Sequence, residues 1–336
     1  MIQISETKYF QLFSCCIPVK GAVRSIICDL QRNSFVYISS ELCEIFLMGE
    51  SIEIKKIMTV DSQELNQFLA YLIDEEYGFT CDDPKSFPKI NFFNDDYPQI
   101  LKNVIIDFDD RSLHDLACIS NQISSLMCSA IELRYFTEKR LLGLLKDINA
   151  FKYSTVRSIN LVTKYTNEIT LEALNEICVE NKRLKQIIVH SGPINHTEQL
   201  DLQTIIIFTK EEITDETHCG NISPFYFQSN VDFFKESLVV NNCLDKKIGI
   251  DKEGNIKNCP SMKIVYGHIG KDNILDILKN KDFQKVRKIR KDDIEICRDC
   301  EFRYICMDCR AYTLDENNVF SKPKKCNYDP YQNKWI

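Results

Sequence analysis

Cys297-Arg298-Asp299-Cys300-Glu301-Phe302-Arg303-Tyr304-Ile305-Cys306-Met307-Asp308-Cys309 holds two C-x2-C pairs only five residues apart. Each pair can set two sulfurs on one side of a turn, where they share a metal ion or a cluster. Zinc ribbons separate such knuckles by about 15–20 residues, so one zinc here would need a very tight hairpin. Iron–sulfur clusters accept ligands packed this closely, because the cluster is larger than one ion. Working outward, Cys326 follows the run, and Cys243 and Cys259 precede it with fifteen residues between them. Residues 246–250 and 255–258 read as hairpin arms with Gly254 at the turn, which puts Cys243 and Cys259 at the open ends. Cys219 stands upstream beside His218. Eight thiols divide naturally into two four-thiolate sites. Iron–sulfur, zinc and unrelated core cysteines all stay open on spacing alone.

The whole chain has 336 residues and 16 cysteines. Residues 1–8 show neither a basic start nor an apolar core of a signal peptide, so a reducing, cytoplasmic location is expected, where structural disulfides are rare. The first eight cysteines are scattered singly except for Cys15-Cys16 and read as small core hydrophobes. Cys118, Cys128 and Cys178 fall on helical stretches with apolar neighbours. The chain carries 42 Lys and Arg against 49 Asp and Glu, a net charge of −7, yet residues 241–336 alone carry 20 against 15. That local excess is either ordinary surface variation or an offset to anionic metal–thiolate centres. An acidic chain without an arginine-rich stripe gives no support to nucleic-acid binding, and no apolar run is long enough for a membrane span.

Three segments are expected. Residues 1–80 read as strands over 8–13, 23–30 and 35–38, followed by helices over 40–48, 52–58 and 61–76, a winged-helix-like unit. Residues 81–99, with Pro84, Pro88 and Pro98, read as a linker or covering loop. Residues 100–218 alternate strands at 103–107, 131–135, 157–162, 186–190 and 204–208 with helices at 112–127, 138–148 and 171–181. Ser112 and Asp115 are spaced as a capping box. Such a period means βαβ units and a parallel sheet, with too few strands for a full eight-stranded barrel. Residues 219–336 form the cysteine-rich end, with one helix over 273–290. The fold class is therefore α/β: a winged-helix-like unit, a partial (β/α) barrel and a cysteine-rich cluster domain.

The run from Gly254-x4-Cys259 through Cys297, Cys300, Cys306 and Cys309 to Cys326 resembles the SPASM domain, which follows the radical SAM barrel in peptide-maturing enzymes. The stretches Asn255-Ile256-Lys257-Asn258-Cys259-Pro260-Ser261-Met262, 297–312 and 321–331 are similar to peptide maturases of the grasp-with-spasm type. The resemblance implies two auxiliary [4Fe-4S] clusters. One would take Cys297, Cys300, Cys306 and Cys326. The other would take Cys243, Cys259 and Cys309, with Cys219 as candidate fourth ligand and His218 as a substitute. The family separates the last pair by three residues, where Cys306 and Cys309 are separated by two. The resemblance also implies a ribosomally made precursor peptide and an ATP-grasp ligase as partners. Residues 1–80 resemble a leader-peptide recognition element, which captures its peptide by strand addition; a generic winged helix is the plainer reading.

One part of the family pattern is missing. Radical chemistry with S-adenosylmethionine needs C-x3-C-x2-C after the first barrel strand, to leave one iron open. Here that strand is followed by Phe108-Asp109-Asp110-Arg111-Ser112-Leu113-His114, and the motif occurs nowhere in the chain. Asp107, Asp109 and Asp110, and His190-Ser191-Gly192, follow strands of the repeat, where they serve either peptide binding and acid–base work or capping and structure. Three functions therefore stand. They are an iron–sulfur protein of peptide maturation, a non-enzymatic leader-binding adaptor with structural clusters, and a zinc-stabilised interaction protein.

Overall fold

A computed structural model describes residues 9–48, 51–54, 63–92, 99–200 and 204–336. The chain divides into two units: residues 1–95, 222–242 and 289–336 form the first, and residues 96–221 and 243–288 the second. Of the three expected segments, 1–80 falls in the first unit and 100–218 in the second, while 219–336 is shared out between them.

The first unit opens with β1 (Tyr9–Leu12), β2 (Cys16–Val19), β3 (Arg24–Asp29), β4 (Ser34–Ser39), α1 (Ser40–Leu47), β5 (Ile52–Glu53), α2 (Gln63–Asp74) and β6 (Gly78–Cys81). They form two antiparallel three-stranded sheets, β5-β1-β6 and β2-β3-β4. The β3–β4 turn closes because Asp29 accepts the amides of Gln31 and Arg32, both at 3.0 Å, and Asn33 takes a positive φ of 53°. Ser39 caps α1 by accepting from the Leu42 amide. Phe10, Ile27, Leu42, Phe46, Leu69 and Leu72 close the core between the strands and both helices. The helix expected over 52–58 starts instead as β5, paired with β1 through Ile52 and Phe10; residues 55–58 lie outside the described residues, as do Lys8, 61–62 and Pro98. Strands β2, β5 and β6 are short and go unseen in the sequence pattern.

The same unit contains the C-terminal cysteine turns. Val19, Ile26 and Cys28 share one core with Phe302, Ile305, Cys306, Tyr328 and Phe234 of the helix Val231–Val239. Glu301 is fully buried. It accepts from Arg24 at 3.1 Å and from the Tyr328 hydroxyl at 2.5 Å, and the Ala22 amide donates to the Asp299 carbonyl at 2.7 Å. Gly21 permits this approach: a Cβ there would lie 2.2 Å from the Arg24 carbonyl and 3.0 Å from the Glu301 Cβ.

The second unit is built on a nine-stranded sheet: β7 (Asn103–Phe108), β8 (Ala130–Tyr135), β9 (Ser158–Lys164), β10 (Leu184–His190), β11 (His196–Leu200), β12 (Thr204–Phe208), β13 (Lys247–Ile250), β14 (Asn255–Lys257) and β15 (Gly267–His268). The order is β11-β12-β10-β9-β8-β7-β13-β14-β15, and the pairs from β12 through β13 are parallel. The expected partial (β/α) barrel is found as a largely parallel βα sheet. Helices α3 (Leu116–Ser125), α4 (Leu141–Asn149) and α5 (Leu171–Glu180) bury Ile119, Ile123, Leu144, Ile148, Leu174 and Ile177 against Val104, Ile106, Ile131, Leu133, Ile159 and Ile187.

Two details differ from the sequence expectation. Asp115, not Ser112, caps α3 by accepting from the Cys118 amide at 3.0 Å; Ser112 donates instead to the Lys252 carbonyl at 2.7 Å. The helix expected over 273–290 is broken into Ile274–Lys279 and Lys281–Lys285, because the Asn280 side chain accepts from the Asp282 and Phe283 amides and starts a new helix. The largest addition is β13. The hairpin arm at 246–250 also docks parallel to β7, pairing Ile248 with Val104 and Ile250 with Ile106.

The Arg24–Glu301 pair generates a stability test. Removing Arg24 leaves Glu301 buried beside Tyr328 alone, so Arg24→Met should cost about 3 kcal/mol of unfolding free energy, measured by urea denaturation. Tyr328→Phe keeps the ion pair and should cost about 1 kcal/mol.

Candidate metal centres and the strand-end ion pair

In the first unit, Cys297 begins a 3-10 turn whose end is Cys300, and the Cys300 amide donates to the Cys297 carbonyl at 3.0 Å. The preceding Ile296 sits at φ 67°, ψ −45°, and the Cys297 amide closes back on the Glu295 carbonyl at 2.7 Å. This is a tight γ-turn in a conformation that a β-branched residue rarely adopts, and backbone strain of this kind concentrates at functional sites. Cys306 is set by a turn on Phe302 and Cys326 by a turn on Pro323. Cys300, Cys306 and Cys326 join the Phe302–Tyr328 core, and Cys297 interacts electrostatically with Cys300, Cys306 and Cys326. The structure therefore brings Cys297, Cys300, Cys306 and Cys326 together. Cys309 also belongs to this unit.

Burial raises the pKa values of Cys297 and Cys300, and pushes the Cys306 thiol up to about 12 against the lowering effect of Lys291. Lys291 is 4% exposed, with its ammonium 3.6 Å from Cys306 Sγ and 3.8 Å from Asp308 Oδ1. Burial opposes the lysine's charge, but Cys306, Cys297, Asp308 and Cys326 outweigh it and hold its pKa above the usual value. Asp308, also buried, accepts from Arg310 at 2.7 Å and from Asn241 at 2.5 Å.

In the second unit, the β13–β14 hairpin holds Cys243 before one arm and Cys259 after the other. Its turn is fixed by Asp251, which accepts from the Glu253 and Asn255 amides at 3.1 and 2.8 Å and pairs with Lys257 at 2.7 Å, and by Gly254 at φ 88°. Cys219 follows the 3-10 turn Glu216–His218, and the Ser261 hydroxyl donates to the Glu216 carbonyl at 3.2 Å, tying the Cys259 loop to that turn. His218 Nδ1 lies 2.7 Å from the Asp215 carbonyl. The Lys247 ammonium is 3.6 Å from Cys243 Sγ. Burial opposes its charge too, but Cys243, Cys259, Cys219 and Glu132 hold its pKa above the usual value. Three of the four expected ligands of the second site, Cys219, Cys243 and Cys259, thus surround one ammonium.

The strand ends carry an ion pair. Arg134, 0% exposed, lies opposite Asp107 in register and donates to its two oxygens at 2.6 and 2.8 Å. Burial pushes the Asp107 carboxyl up to about 6 against the pull of Arg134, which leaves the pair ionised at neutral pH. The third nitrogen of Arg134, Nη1, has no hydrogen-bond partner in the protein, and Cys219 is among the groups that face this guanidinium electrostatically. Asp109 caps its own loop, accepting from the Arg111 amide and Ser112, while Asp110 is exposed. His190 is structural. The Ile213 amide donates to Nδ1 at 3.3 Å, which puts the proton on Nε2, 3.1 Å from the Tyr135 carbonyl.

Among the described residues, only Cys15, Cys16 and Asp29 form a group of three metal-ligating residue types within 4.8 Å of one another. Both Asp29 oxygens already accept from Gln31, Arg32 or both, so that group closes a turn. Among the described residues, no three of the C-terminal thiols lie within 4.8 Å of one another. A four-iron cluster spreads its ligands further, and the orphaned Arg134 donor and the two ammonium groups suit its negative charge. Of the other cysteines, Cys16, Cys28, Cys43, Cys81, Cys128 and Cys178 are buried as expected and Cys15 is half-buried. Cys118 is exposed on α3, and Cys128 lies in the turn after that helix.

A cleft of about 680 Å³ lies in the first unit, lined mainly by apolar groups including Phe10, Phe13, Ile17, Phe46, Leu47 and Phe87. Ile17 belongs to β2, which among the described residues is an edge strand paired with β3 alone.

Residues 242–301 match the SPASM family, described as an iron–sulfur cluster-binding domain. That span includes Cys243, Cys259, Cys297 and Cys300. No curated protein matches the chain. Among solved structures, SuiB of Streptococcus suis bound to its precursor peptide SuiA is 12% identical, with 98% of this chain and 100% of that chain covered and a TM-score of 0.33. SuiB bound to S-adenosylmethionine is 12% identical, with coverage of 96% and 98% and a TM-score of 0.30. Scores this low carry no argument about fold or activity. No helix among the described residues is long and apolar enough to cross a membrane.

Gly249 sits where a Cβ would meet Pro260 Cδ at 2.2 Å, next to Cys259. Gly249→Ala should cost about 1–3 kcal/mol by displacing the Cys259 loop, and should lower bound iron in anaerobically reconstituted protein.

Proposed function

We propose that this chain is an iron–sulfur protein of ribosomal-peptide maturation that holds two [4Fe-4S] clusters. The convergence of Cys297, Cys306 and Cys326 on the buried Lys291, with Cys300 facing Cys297 and Cys306, carries this reading, and Cys297 and Cys300 fall within the SPASM-matched residues. Cys219, Cys243 and Cys259 take the second cluster. Cys309, which the resemblance assigns to the same cluster although its spacing departs from the family's, belongs to the first unit. When bound, the clusters supply a site for single-electron storage and cross-link turns with little regular structure. The protein's own groups hold the thiolates, exclude water from them and neutralise their charge.

The apolar cleft beside the β2 edge supports leader binding in the first unit, because an extended peptide added to β2 would lay its side chains in the cleft. An ATP-grasp ligase partner and a grasp-with-spasm context rest on the sequence resemblance. A second reading, the non-enzymatic adaptor, is favoured by one observation. The loop after β7 carries Asp109, Ser112 and His114 where three cysteines would be needed, and the neighbouring strand ends are filled by the Asp107–Arg134 pair.

Purified anaerobically and reconstituted, the protein should be brown and hold about eight irons per chain. A colourless protein with stoichiometric zinc would sink the cluster reading. Leu47→Asp, at a half-exposed position lining the cleft, should weaken leader-peptide binding about tenfold by fluorescence anisotropy with unchanged circular dichroism.

A further inference from the structure

Each thiol site contains one lysine whose ammonium touches a ligand sulfur, Lys291 on Cys306 and Lys247 on Cys243, both at 3.6 Å. Lysine is almost never buried without a partner, and surface attraction of a flexible side chain does not account for Lys291 at 4% exposure. Neither side chain is spent on a carboxylate at close range. The contact of Lys291 with Asp308 is 3.8 Å, and Asp308 is already committed to Arg310 and Asn241. The backbone fixes both positions. Lys247 is the first residue of β13, whose register on β7 pairs it with Asn103, and Arg287 donates to its carbonyl. Lys291 opens the 3-10 turn Lys291–Asp293, whose Asp293 side chain accepts from the Arg290 amide at 2.9 Å.

We propose that Lys247 and Lys291 are fixed counter-charges, one to each cluster, that raise the reduction potential of the cluster each one faces. The inference rests on the cluster reading above. Reduction adds one electron, and therefore one negative charge, to a group already carrying four thiolates. An ammonium held 3.6 Å from a ligand sulfur stabilises that added charge more than the oxidised form. It also donates a charge-assisted hydrogen bond to a ligand sulfur, and hydrogen bonds to the sulfurs raise cluster potentials. Arg134 adds a second cation near Cys219, offset by Asp107 and Glu132, while the Lys247 ammonium meets no carboxylate at hydrogen-bond distance among the described residues.

The test is a dye-mediated redox titration followed by electron paramagnetic resonance on the anaerobically reconstituted full chain, with iron content measured on each sample. Lys247→Met and Lys291→Met should each move one cluster signal, a different one in each variant, to more negative potential. At the wild-type midpoint the reduced-to-oxidised ratio of that cluster should fall about tenfold or more. Lys→Arg at either position should keep the wild-type midpoint. A methionine variant that loses its cluster while the arginine variant keeps it also supports a charge role. Fully loaded methionine variants with unchanged midpoints overturn the inference, as does equal cluster loss in methionine and arginine variants, which marks a packing role. Absence of iron in the wild type would instead remove the cluster reading itself, so the two failures are distinguishable.

Discussion

A thiolate withdrawn from water is costly unless a positive charge stands close to it, and this constraint runs through both units. Burial first, and then neighbouring thiols and carboxylates, raise the pKa values of Cys297, Cys300, Cys306, Cys219 and Cys259, so the bare protein favours neutral thiols at each site. A metal group reverses that preference by binding the deprotonated form. The ammonium of Lys291 and that of Lys247 lower the cost of the reversal, and both stand on backbone that is already held: a tight turn in one unit, a strand in the parallel sheet in the other.

The hairpin β13–β14 shows how fold and site share one device. Its first strand extends the parallel sheet beyond β7, burying Ile248 and Ile250 in the main core. Its ends carry Cys243 and Cys259, and its turn is tied to the β7–α3 loop through Ser112 and the Lys252 carbonyl. The thiols therefore inherit the rigidity of the largest sheet in the molecule. In the first unit the corresponding support comes from the N-terminal strands. Arg24 and Glu301, with Tyr328, join β3 to the Cys300 turn, and Phe302 packs on Phe35 and Phe227. The apolar cleft and the Cys297–Cys306 turns thus lie within one unit.

The ends of β7 and β8 hold a buried arginine and aspartate. The pair keeps two charges out of water by satisfying each other, and it occupies the positions that face away from the helices. The loop after β7 closes on hydrogen bonds between Asp109 and Ser112.

The sequence by itself determined the βα period, the cysteine grouping and the absence of the radical motif, because strand and helix periodicity and ligand spacing are local properties of the chain. Strands at 103–107, 131–135, 186–190 and 204–208 are found within a residue or two of their expected places. Short or edge strands such as β2, β5 and β11 were not legible, since their existence depends on partners far along the chain. The excess of basic residues after position 240 was visible, but not its meaning. Only the tertiary structure decided that two of those lysines turn inward onto sulfur while most of the others meet solvent or carboxylates. It also decided that β13 joins the parallel sheet and that Glu301 is sealed against Arg24. Burial and charge pairing are settled by what surrounds a side chain in space, and no spacing along the chain encodes that.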